Sequence, residues 1–250
     1  MRQGPVRRPP AACVECAFFL DVDGTLLEIA DTPSAVRVDR ELLELIGRLF
    51  RISGGAVALV SGRSISDLEE LLGMRRLPLA GQHGLERRDS AGRLWIHAAP
   101  PGAKCAIKDA LLPVLNRHPG LLLEDKGLAL ALHYRQAPRL AAYAHRLMAR
   151  LMREVGGQLE LQKGKRVIEI KPAGIDKGTA VAEYLTESPF RGRHPVFIGD
   201  DLNDEHGFAE VNRMGGISIK VGSGTSCARY RLPHVAAVRE WLNEALKGAG

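Results

Sequence analysis

A chain of 250 residues, 45% hydrophobic and 26% charged, has an ordinary globular composition and is long enough for one large domain or two smaller ones. The formal net charge is +6, but 29 acidic residues are interleaved with the basic ones, which suits a small anionic substrate at least as well as nucleic acid. Aromatic residues make up only 5%, and no RNA-binding or helix-turn-helix signature occurs, so we expect no nucleic-acid partner.

Residues 1–17 are predicted to be a flexible leader, because they hold scattered prolines and arginines. They contain no apolar segment long enough for a signal peptide, and no later run is long enough to span a bilayer. We therefore expect a cytoplasmic protein without a membrane partner. Cys13 and Cys16 are spaced as half of a zinc site, but no second pair completes it, so reduced thiols are expected.

Strands and helices alternate after the leader, which predicts a parallel α/β sheet with helices on both faces. The segment "SISDLEELLG" predicts a helix with Ser64 or Ser66 as its N-cap and Gly73 at its end. The other predicted elements of this part are the strands "AFFLDVDG", "GAVALVSGR" and "LPLAGQHG" and the helix "VDRELLELIGRLF".

The pattern changes near Pro100 and Pro101, which predicts a small α+β module inserted into the sheet domain. Its predicted elements are the helices "AKCAIKDALLPVLNRH" and "LAAYAHRLMARLMREV", a hairpin turning at Asp125-Lys126-Gly127, and the strands "GQLELQKG" and "KRVIEIKP". The α/β pattern resumes at "DKGTAVAEYL" and continues through the strands "HPVFIGDD" and "GISIKVG". The predicted domains are therefore a core at 18–99 and 174–250 and an inserted cap at 100–173.

Polar side chains follow three of the apolar strands: Asp21 and Asp23, then Ser61, then Asp200 and Asp201. Lys177 opens a helix between the second and third of these strands. The carboxyl ends of parallel strands meet at one edge of a sheet, so we expect these residues to converge there. Several carboxylates predict a Mg²⁺ site, and the Ser61 hydroxyl and Lys177 ammonium would bind the phosphate oxygens that the metal leaves free.

Each of these residues also has a plainer interpretation. Asp and Gly at a strand end are ordinary turn formers, as Ser61 is, and Lys177 at a helix start is often only solvated. Acidic residues that open a helix favour capping, so Asp201 and Asp204 are expected to be either caps or supporting or additional metal ligands.

Together, "DVDGTL", the strand-end Ser61, Lys177 and "GDDLNDE" resemble, in the right order, the four motifs of the haloacid dehalogenase superfamily of aspartate-nucleophile phosphatases. Within it, "AGQHGLERRD", "EDKGLALALHYRQAP" and "GKRVIEIKPAGIDKG" resemble the trehalose-6-phosphate phosphatases, over about 18–221. Asn203 stands where this family more often has Thr, and Asp200, Asp201 and Asp204 are unaffected by that difference. The resemblance implies a Rossmann-like core with an α+β cap.

The resemblance also implies roles for the strand-end residues. Asp21 would attack phosphorus and form an aspartyl-phosphate, and Asp23 would protonate the leaving sugar oxygen and then activate water. Mg²⁺ would be held by Asp21, Asp23 and Asp200. Ser61 and Lys177 would complete the catalytic set, and Gly24 would contact the substrate.

Substrate specificity is expected to come from the inserted module, because the four motifs read only the phosphate. The resemblance implies that Glu124, Lys126 and Glu169 bind the sugar; the alternative is that they are solvated charges. His83 and Glu86 follow a predicted strand and are candidates for the same cleft, although a histidine beside glycines is often structural. Arg63 either steers the phosphate or pairs within its turn.

The expected protein is a magnesium-dependent phosphatase that hydrolyses trehalose 6-phosphate in the last step of trehalose biosynthesis, acting as a monomer on a small-molecule sugar phosphate. One alternative is a related phosphatase with another sugar phosphate as its substrate. The other is a non-catalytic sugar-phosphate sensor, although a sensor has no need to keep Asp21, Asp23, Lys177 and Asp200.

Overall fold

The computed structural model describes residues 7–11, 13, 15–29, 36–99, 102–156, 158–164 and 166–247. The chain divides into two compact units: the first is Met1–Trp95 with Ile175–Gly250, and the second is Ile96–Gly174. The second unit is a single insertion into the first, near the limits expected for the cap. Pro100 and Pro101, where the sequence pattern changes, lie outside the described residues.

The described strands and helices alternate over most of the chain. The strands are β1 (Cys16–Leu20), β2 (Val57–Val60), β3 (Leu79–Gly81), β4 (Glu86–Arg88), β5 (Leu94–Ile96), β6 (Leu122–Asp125), β7 (Leu130–His133), β8 (Leu159–Gly164), β9 (Val167–Pro172), β10 (His194–Gly199), β11 (Ile217–Val221) and β12 (Tyr230–Leu232). The helices are α1 (Arg40–Ile52), α2 (Ile65–Leu72), α3 (Ala103–Arg117), α4 (Ala141–Val155), α5 (Lys177–Leu185), α6 (Asp204–Arg213) and α7 (Val235–Lys247). Within the described ranges, no helix combines the length and the apolar character needed to cross a membrane.

The first unit is built on an eight-stranded sheet in the order β12-β11-β10-β1-β2-β3-β4-β5. The six strands from β12 to β3 pair in parallel, and β4 pairs antiparallel to β3. Because β1 lies between β2 and β10, the ends of these three strands share one edge of the sheet. The predicted parallel α/β core is confirmed.

Both faces of this sheet are buried, which explains why β1 is apolar at every position. Cys16, Phe18 and Leu20 point to one face and pack with residues of α1, α2 and α7. Ala17 and Phe19 point to the opposite face and pack with residues of α5 and α6. A strand covered on both sides reads as a continuous apolar run, because its alternating side chains enter two different cores.

Helix α2 shows how local chemistry sets an element's limits. The Ser64 hydroxyl accepts a hydrogen bond from Asp67 N at 3.0 Å, and Asp67 in turn accepts one from Ser64 N at 3.3 Å. This reciprocal capping satisfies backbone N–H groups that the first helical turn leaves unpaired. Gly73 ends the helix with a φ of 66°, a left-handed conformation that glycine adopts without steric cost. The predicted cap and stop are confirmed, with Ser64 as the cap.

Three short strands were not predicted: β4, β5 and β12 have three residues each. In β4 the sequence is Glu-Arg-Arg, and in β5 all three residues are exposed. Segments this short show no apolar alternation, and they form because a neighbouring strand offers hydrogen-bonding groups. Their formation therefore depends on tertiary context.

The second unit is a four-stranded antiparallel sheet, in the order β6-β7-β9-β8, with two helices. One sheet face packs against α3 and α4 in a core that includes Leu132, Ile168 and Ile170. The predicted hairpin is present, with β6 ending at Asp125, β7 beginning at Leu130, and Gly127 at a φ of 81°. This unit is thus an α+β module with its own hydrophobic core.

Part of the leader has defined partners in the first unit. The Arg7 carbonyl accepts a hydrogen bond from Arg231 N at 3.1 Å, and the Pro10 carbonyl accepts one from Trp241 Nε1 at 3.1 Å. Arg8 forms an exposed ion pair with Glu244 at 3.0 Å. These contacts place part of the segment 7–11 against β12 and α7, whereas residues 1–6, 12 and 14 lie outside the described residues, so the flexible leader stays a prediction.

Candidate active site

Two strand ends bring carboxylates to one edge of the eight-stranded sheet. Asp21 follows β1, Asp200 follows β10, and the two strands pair in parallel with Leu20 opposite Ile198. Asp21 N also donates to the Ile198 carbonyl at 3.0 Å. The two aspartates therefore follow the ends of adjacent parallel strands, offset by one residue in register, as the strand-end argument predicts.

A buried ion-pair network forms where α5 and α6 begin. Lys177, the first residue of α5, donates from Nζ to Asp21 Oδ1 and to Asp204 Oδ1, both at 2.6 Å. The Thr25 hydroxyl donates to the other Asp21 oxygen, Oδ2, at 3.0 Å. Each oxygen of Asp21 thus has a hydrogen-bond donor, which fixes the orientation of the carboxylate.

Three carboxylates are close enough to share a cation. Within the described residues, Asp21, Asp200 and Asp204 each offer an oxygen, and these atoms lie within 4.8 Å of one another. A set of carboxylate oxygens without His or Cys fits a hard cation such as Mg²⁺ better than Zn²⁺. We name these three residues the carboxylate cluster.

Glycine at position 24 makes room for this cluster. The residue has a φ of +85°, and a Cβ atom there would collide with the Asp200 carboxylate. Any side chain would therefore meet both backbone strain and a clash. Because Gly24 has no side chain, the turn after β1 can approach Asp200 closely. Contact of Gly24 with the substrate stays a prediction.

The cluster is electrostatically unbalanced. Burial alone would lower the pKa of Lys177, but the Asp204 and Asp21 carboxylates raise it above its ordinary value, so the ammonium stays charged. Burial raises the pKa of Asp21, and Asp204 adds to that rise while Lys177 opposes it. Burial also raises the pKa of Asp200 to about 6, with Asp204 as the next cause. Excess negative charge of this kind favours binding of a divalent cation.

Asp201 and Asp204, which the sequence left undecided between caps and ligands, have different environments. Asp204 is fully buried in the cluster, and its Oδ2 accepts a hydrogen bond from Asp201 N at 2.8 Å. Asp201 is exposed, and its side chain accepts hydrogen bonds from Leu202 N at 2.6 Å and from Asn203 Nδ2 at 3.3 Å. The structure therefore brings Asp204 into the cluster and leaves Asp201 outside it.

The Asp23 carboxylate is not part of the cluster, although it was predicted as a metal ligand. It forms an ion pair with Arg63, which donates to both of its oxygens. Ser61 is buried, and its hydroxyl accepts a hydrogen bond from Arg63 N at 3.1 Å. Arg63 thus pairs with a carboxylate of the turn after β1, and its predicted steering of the phosphate stays a prediction.

His83 and Glu86 support the turn that carries Ser61. The His83 backbone, at a φ of 60°, donates from its N–H to the Ser61 carbonyl at 2.9 Å. The Glu86 side chain accepts from Ile65 N at 2.9 Å, at the start of α2, and from Gln82 Nε2 at 3.2 Å. These contacts give Glu86 a structural role; sugar binding by either residue stays a prediction.

In the second unit, the predicted sugar-binding residues lie around one cross-strand row. Glu124 on β6 pairs with Ala131 on β7, which pairs with Glu169 on β9, so both carboxylates share one sheet face. Lys126 forms an ion pair with Glu169, and His133 contacts Glu124 at 2.7 Å. The three charges predicted to bind sugar are thus grouped by the register of this sheet.

Two residues of the site were not predicted. Thr25 orients the Asp21 carboxylate, and Lys220, near the end of β11, contacts the backbone of Asp200. The available signal for Lys220 was a single charged residue near the end of an otherwise largely apolar strand, in the segment "GISIKVG".

The core and the cluster together place an aspartate beside a lysine and further carboxylates at the strand ends of a Rossmann-like sheet. A family model described as trehalose-phosphatase matches residues 19–235. The chain belongs to the trehalose-phosphatase family.

Individual relatives agree with this membership. Over 238 residues the chain is 46% identical to the trehalose-6-phosphate phosphatase of Escherichia coli strain K12, covering 95% of this chain and 89% of that protein. It is 44% identical over 207 residues to a probable trehalose-phosphate phosphatase of Sinorhizobium fredii, covering 82% and 77%. The C-terminal domain of a C. albicans trehalose-6-phosphate phosphatase shares the fold, with a TM-score of 0.77 at 24% identity, covering 93% and 92%.

Proposed function

We propose that this protein is a Mg²⁺-dependent phosphatase that hydrolyses trehalose 6-phosphate to trehalose and inorganic phosphate, the last step of trehalose biosynthesis. The buried network of Asp21, Lys177 and Asp204 carries the proposal. A carboxylate held by a lysine and a threonine at a strand end is oriented for nucleophilic attack, and no purely structural purpose requires two buried carboxylates around one buried lysine with a third carboxylate beside them. The substrate is suggested by the names of the two bacterial relatives.

In the proposed reaction, the Asp21 carboxylate attacks phosphorus and the bond from phosphorus to the sugar oxygen breaks, leaving an aspartyl-phosphate. Asp23 donates a proton to the departing sugar oxygen. A water molecule then attacks the phosphorus of the aspartyl-phosphate and gives its proton to Asp23, which releases phosphate and restores Asp21. The same residue serves as acid and then as base, so no additional proton donor is needed.

The remaining residues orient Asp21 and bind the phosphoryl group and the metal ion. Lys177 keeps Asp21 in place and contributes a positive charge beside the transferring phosphoryl group. Ser61 lies on the turn that carries Arg63, and we propose that its hydroxyl binds a phosphate oxygen. The carboxylate cluster would hold Mg²⁺, which when bound supplies charge that stabilises the phosphoryl oxygens.

We further propose that the second unit selects the sugar through Glu124, Lys126 and Glu169. A disaccharide presents many hydroxyl groups, and charged side chains that bind them discriminate against analogues that leave those charges unpaired. The three side chains are grouped in the second unit, and Glu169 is only 8% exposed. A buried carboxylate beside a lysine is a stronger candidate for recognition than a freely solvated charge.

Phosphate release measured over a panel of sugar phosphates, with Mg²⁺ present, tests the proposal. We expect trehalose 6-phosphate to have the highest kcat/KM, and Asp21→Asn to fall to background while its circular dichroism spectrum is retained, because an amide cannot attack phosphorus. A higher kcat/KM for another sugar phosphate would contradict the substrate. Binding without any turnover by the parent protein would indicate a sensor instead.

A further inference from the structure

Lys220 is a buried lysine next to the carboxylate cluster. It is the fourth residue of β11, where it pairs with Gly199, the residue immediately before Asp200. Only 6% of Lys220 is exposed. Because β10 and β11 run in parallel, Lys220 lies at the same sheet edge as Asp200.

The Lys220 ammonium donates a hydrogen bond to the backbone carbonyl of Asp200. In the part of the chain that the structure describes, this carbonyl is the hydrogen-bond acceptor found for Nζ, and no carboxylate forms an ion pair with it. The positive charge of Lys220 also acts on nearby carboxylates, lowering the pKa of Asp200 and of Glu205. An ammonium has three N–H donors, however, and one carbonyl acceptor replaces only part of its lost hydration.

Packing alone does not account for a lysine at this position. Its strand neighbours Ile219 and Val221 are buried and apolar, and an unbranched apolar side chain such as methionine would occupy a similar volume. Replacing a poorly paired buried charge by an apolar side chain is often neutral or stabilising for the fold. Retaining a costly charge beside a reactive site suggests a functional purpose.

The Asp200 side chain is held less firmly than those of Asp21 and Asp204. Its carboxylate accepts a hydrogen bond from the Thr25 hydroxyl at 3.5 Å, which is long for such a bond, and its other side-chain hydrogen-bond partner is the Asp21 carboxyl group. By contrast, Asp21 and Asp204 each accept a 2.6 Å bond from Lys177. The placement of Asp200 therefore depends on its backbone, which Lys220 contacts.

We propose that Lys220 is a positioning residue of the phosphatase site. By bonding to the Asp200 carbonyl, it holds the turn after β10 so that the Asp200 carboxylate stays within reach of Asp21 and Asp204. Lys220 acts through Asp200 and touches neither substrate nor metal. This inference rests on the proposed Mg²⁺-dependent function.

The test is the affinity of the protein for Mg²⁺, measured by titration calorimetry on Lys220→Met. We expect binding to weaken about 10-fold, as is usual when a group that orients a metal ligand is removed. The sign of the change in Mg²⁺ affinity distinguishes positioning from electrostatics. Removing a positive charge near a cation site would, by electrostatics alone, tighten Mg²⁺ binding. The melting temperature of the metal-free variant should equal or exceed that of the parent.

Ser218→Ala is the matched control, since Ser218 lies two residues earlier on the same strand and points to the same face. Its buried hydroxyl donates to Asn212 Oδ1 at 2.6 Å and accepts from Arg229 N at 2.9 Å. This variant should lower the melting temperature and leave the Mg²⁺ affinity unchanged. It separates general damage to β11 from loss of the Lys220 contact.

Lys220→Gln provides a second measurement in case the methionine variant does not fold. Its amide is uncharged and one bond shorter than the lysine side chain, so its contact with the Asp200 carbonyl is weaker and a loss of affinity in the same direction is expected. Parent-like or tighter Mg²⁺ binding by either folded variant would overturn the inference while leaving the proposed function intact. A parent protein that neither binds nor requires Mg²⁺ would overturn both.

Discussion

Arg63 holds Asp23 through two hydrogen bonds, from Nε to Oδ2 at 2.6 Å and from Nη2 to Oδ1 at 2.7 Å. The two residues lie on the turns that follow β2 and β1, and these strands pair in parallel. The guanidinium thus binds the carboxylate in the planar, bidentate geometry that arginine favours. If Asp23 is the general acid and base, Arg63 sets the orientation from which it transfers protons.

The first prediction concerns this pair. Asp23→Asn should reduce hydrolysis of trehalose 6-phosphate by roughly 10²- to 10⁴-fold, because the sugar oxygen then leaves without a proton. Arg63→Met should give a smaller loss, up to about 10²-fold, because the acid is present but misplaced. An aryl phosphate, whose leaving group needs no proton, should be affected less by either variant. Steady-state kinetics with both substrates provides the measurement.

Arg213→Met serves as the control for this prediction, since Arg213 forms an exposed ion pair with Glu210 on α6. It should match the parent on both substrates. Equal losses on both substrates for Asp23→Asn would argue against its role as the acid. A higher KM for both substrates in Arg63→Met, without a change in kcat, would instead indicate that Arg63 binds phosphate.

The second prediction concerns the metal. Exhaustive chelation should abolish phosphate release, Mg²⁺ should restore it, and Zn²⁺ should restore it poorly, because the cluster offers carboxylate oxygens only. Asp200→Asn should raise the Mg²⁺ concentration needed for half-maximal activity, because the amide carries no charge. Activity titrations against Mg²⁺ measure this shift. Full activity of the parent protein after its metal has been removed by a chelator would contradict a role for the metal in the mechanism.

The third prediction concerns the stability of the metal-free protein as a function of pH. Burial raises the pKa of Asp200 to about 6, so folding favours its protonated form. Its contribution to stability is therefore present below the pKa of about 4 that an unfolded aspartate has, and is lost as the pH rises through about 6. The melting temperature should fall between pH 5 and pH 7.

Asp200→Asn provides the comparison for this pH dependence. An amide has no proton to lose in this range, so the variant should show a smaller fall in melting temperature between pH 5 and pH 7. Mg²⁺ should also reverse most of the fall in the parent, because the ion binds the ionised form. An identical pH dependence in parent and variant would show that Asp200 does not titrate as expected.

The fourth prediction concerns the second unit. Alanine at Glu124, Lys126 or Glu169 should lower kcat/KM for trehalose 6-phosphate about 10-fold or more, given roughly 1.5–3 kcal/mol per charged hydrogen bond. Hydrolysis of a small aryl phosphate should change little, because it has no sugar hydroxyls to bind. Kinetics with both substrates on the three single variants makes the comparison.

Glu154→Ala is a suitable control, because Glu154 is an exposed residue of α4 that forms a 3.5 Å surface pair with Arg150. It should resemble the parent on both substrates. Unchanged trehalose 6-phosphate kinetics in all three variants would mean that these charges are merely solvated. A parallel loss on both substrates would indicate damaged folding.

The sequence alone was enough to predict the parallel core, the inserted α+β module and the limits of α2. These features depend on local periodicity and on capping and turn residues such as Ser64 and Gly73, whose preferences act over a few residues. It also predicted that Asp21 and Asp200 follow strand ends at one edge of the sheet, because an apolar run that stops at a carboxylate marks the edge of a buried sheet.

Only the tertiary structure decided which of these side chains meet. Asp204 lies in the carboxylate cluster while Asp201 faces solvent, and Asp23 pairs with Arg63 instead of joining the cluster. Lys220 entered the site only once the strand order was known, because β11 pairs with the strand that precedes Asp200. The physical reason is that local patterns determine elements, whereas contacts of a few ångströms depend on strand order, register and the direction of each side chain, and segments far apart in the chain set these together.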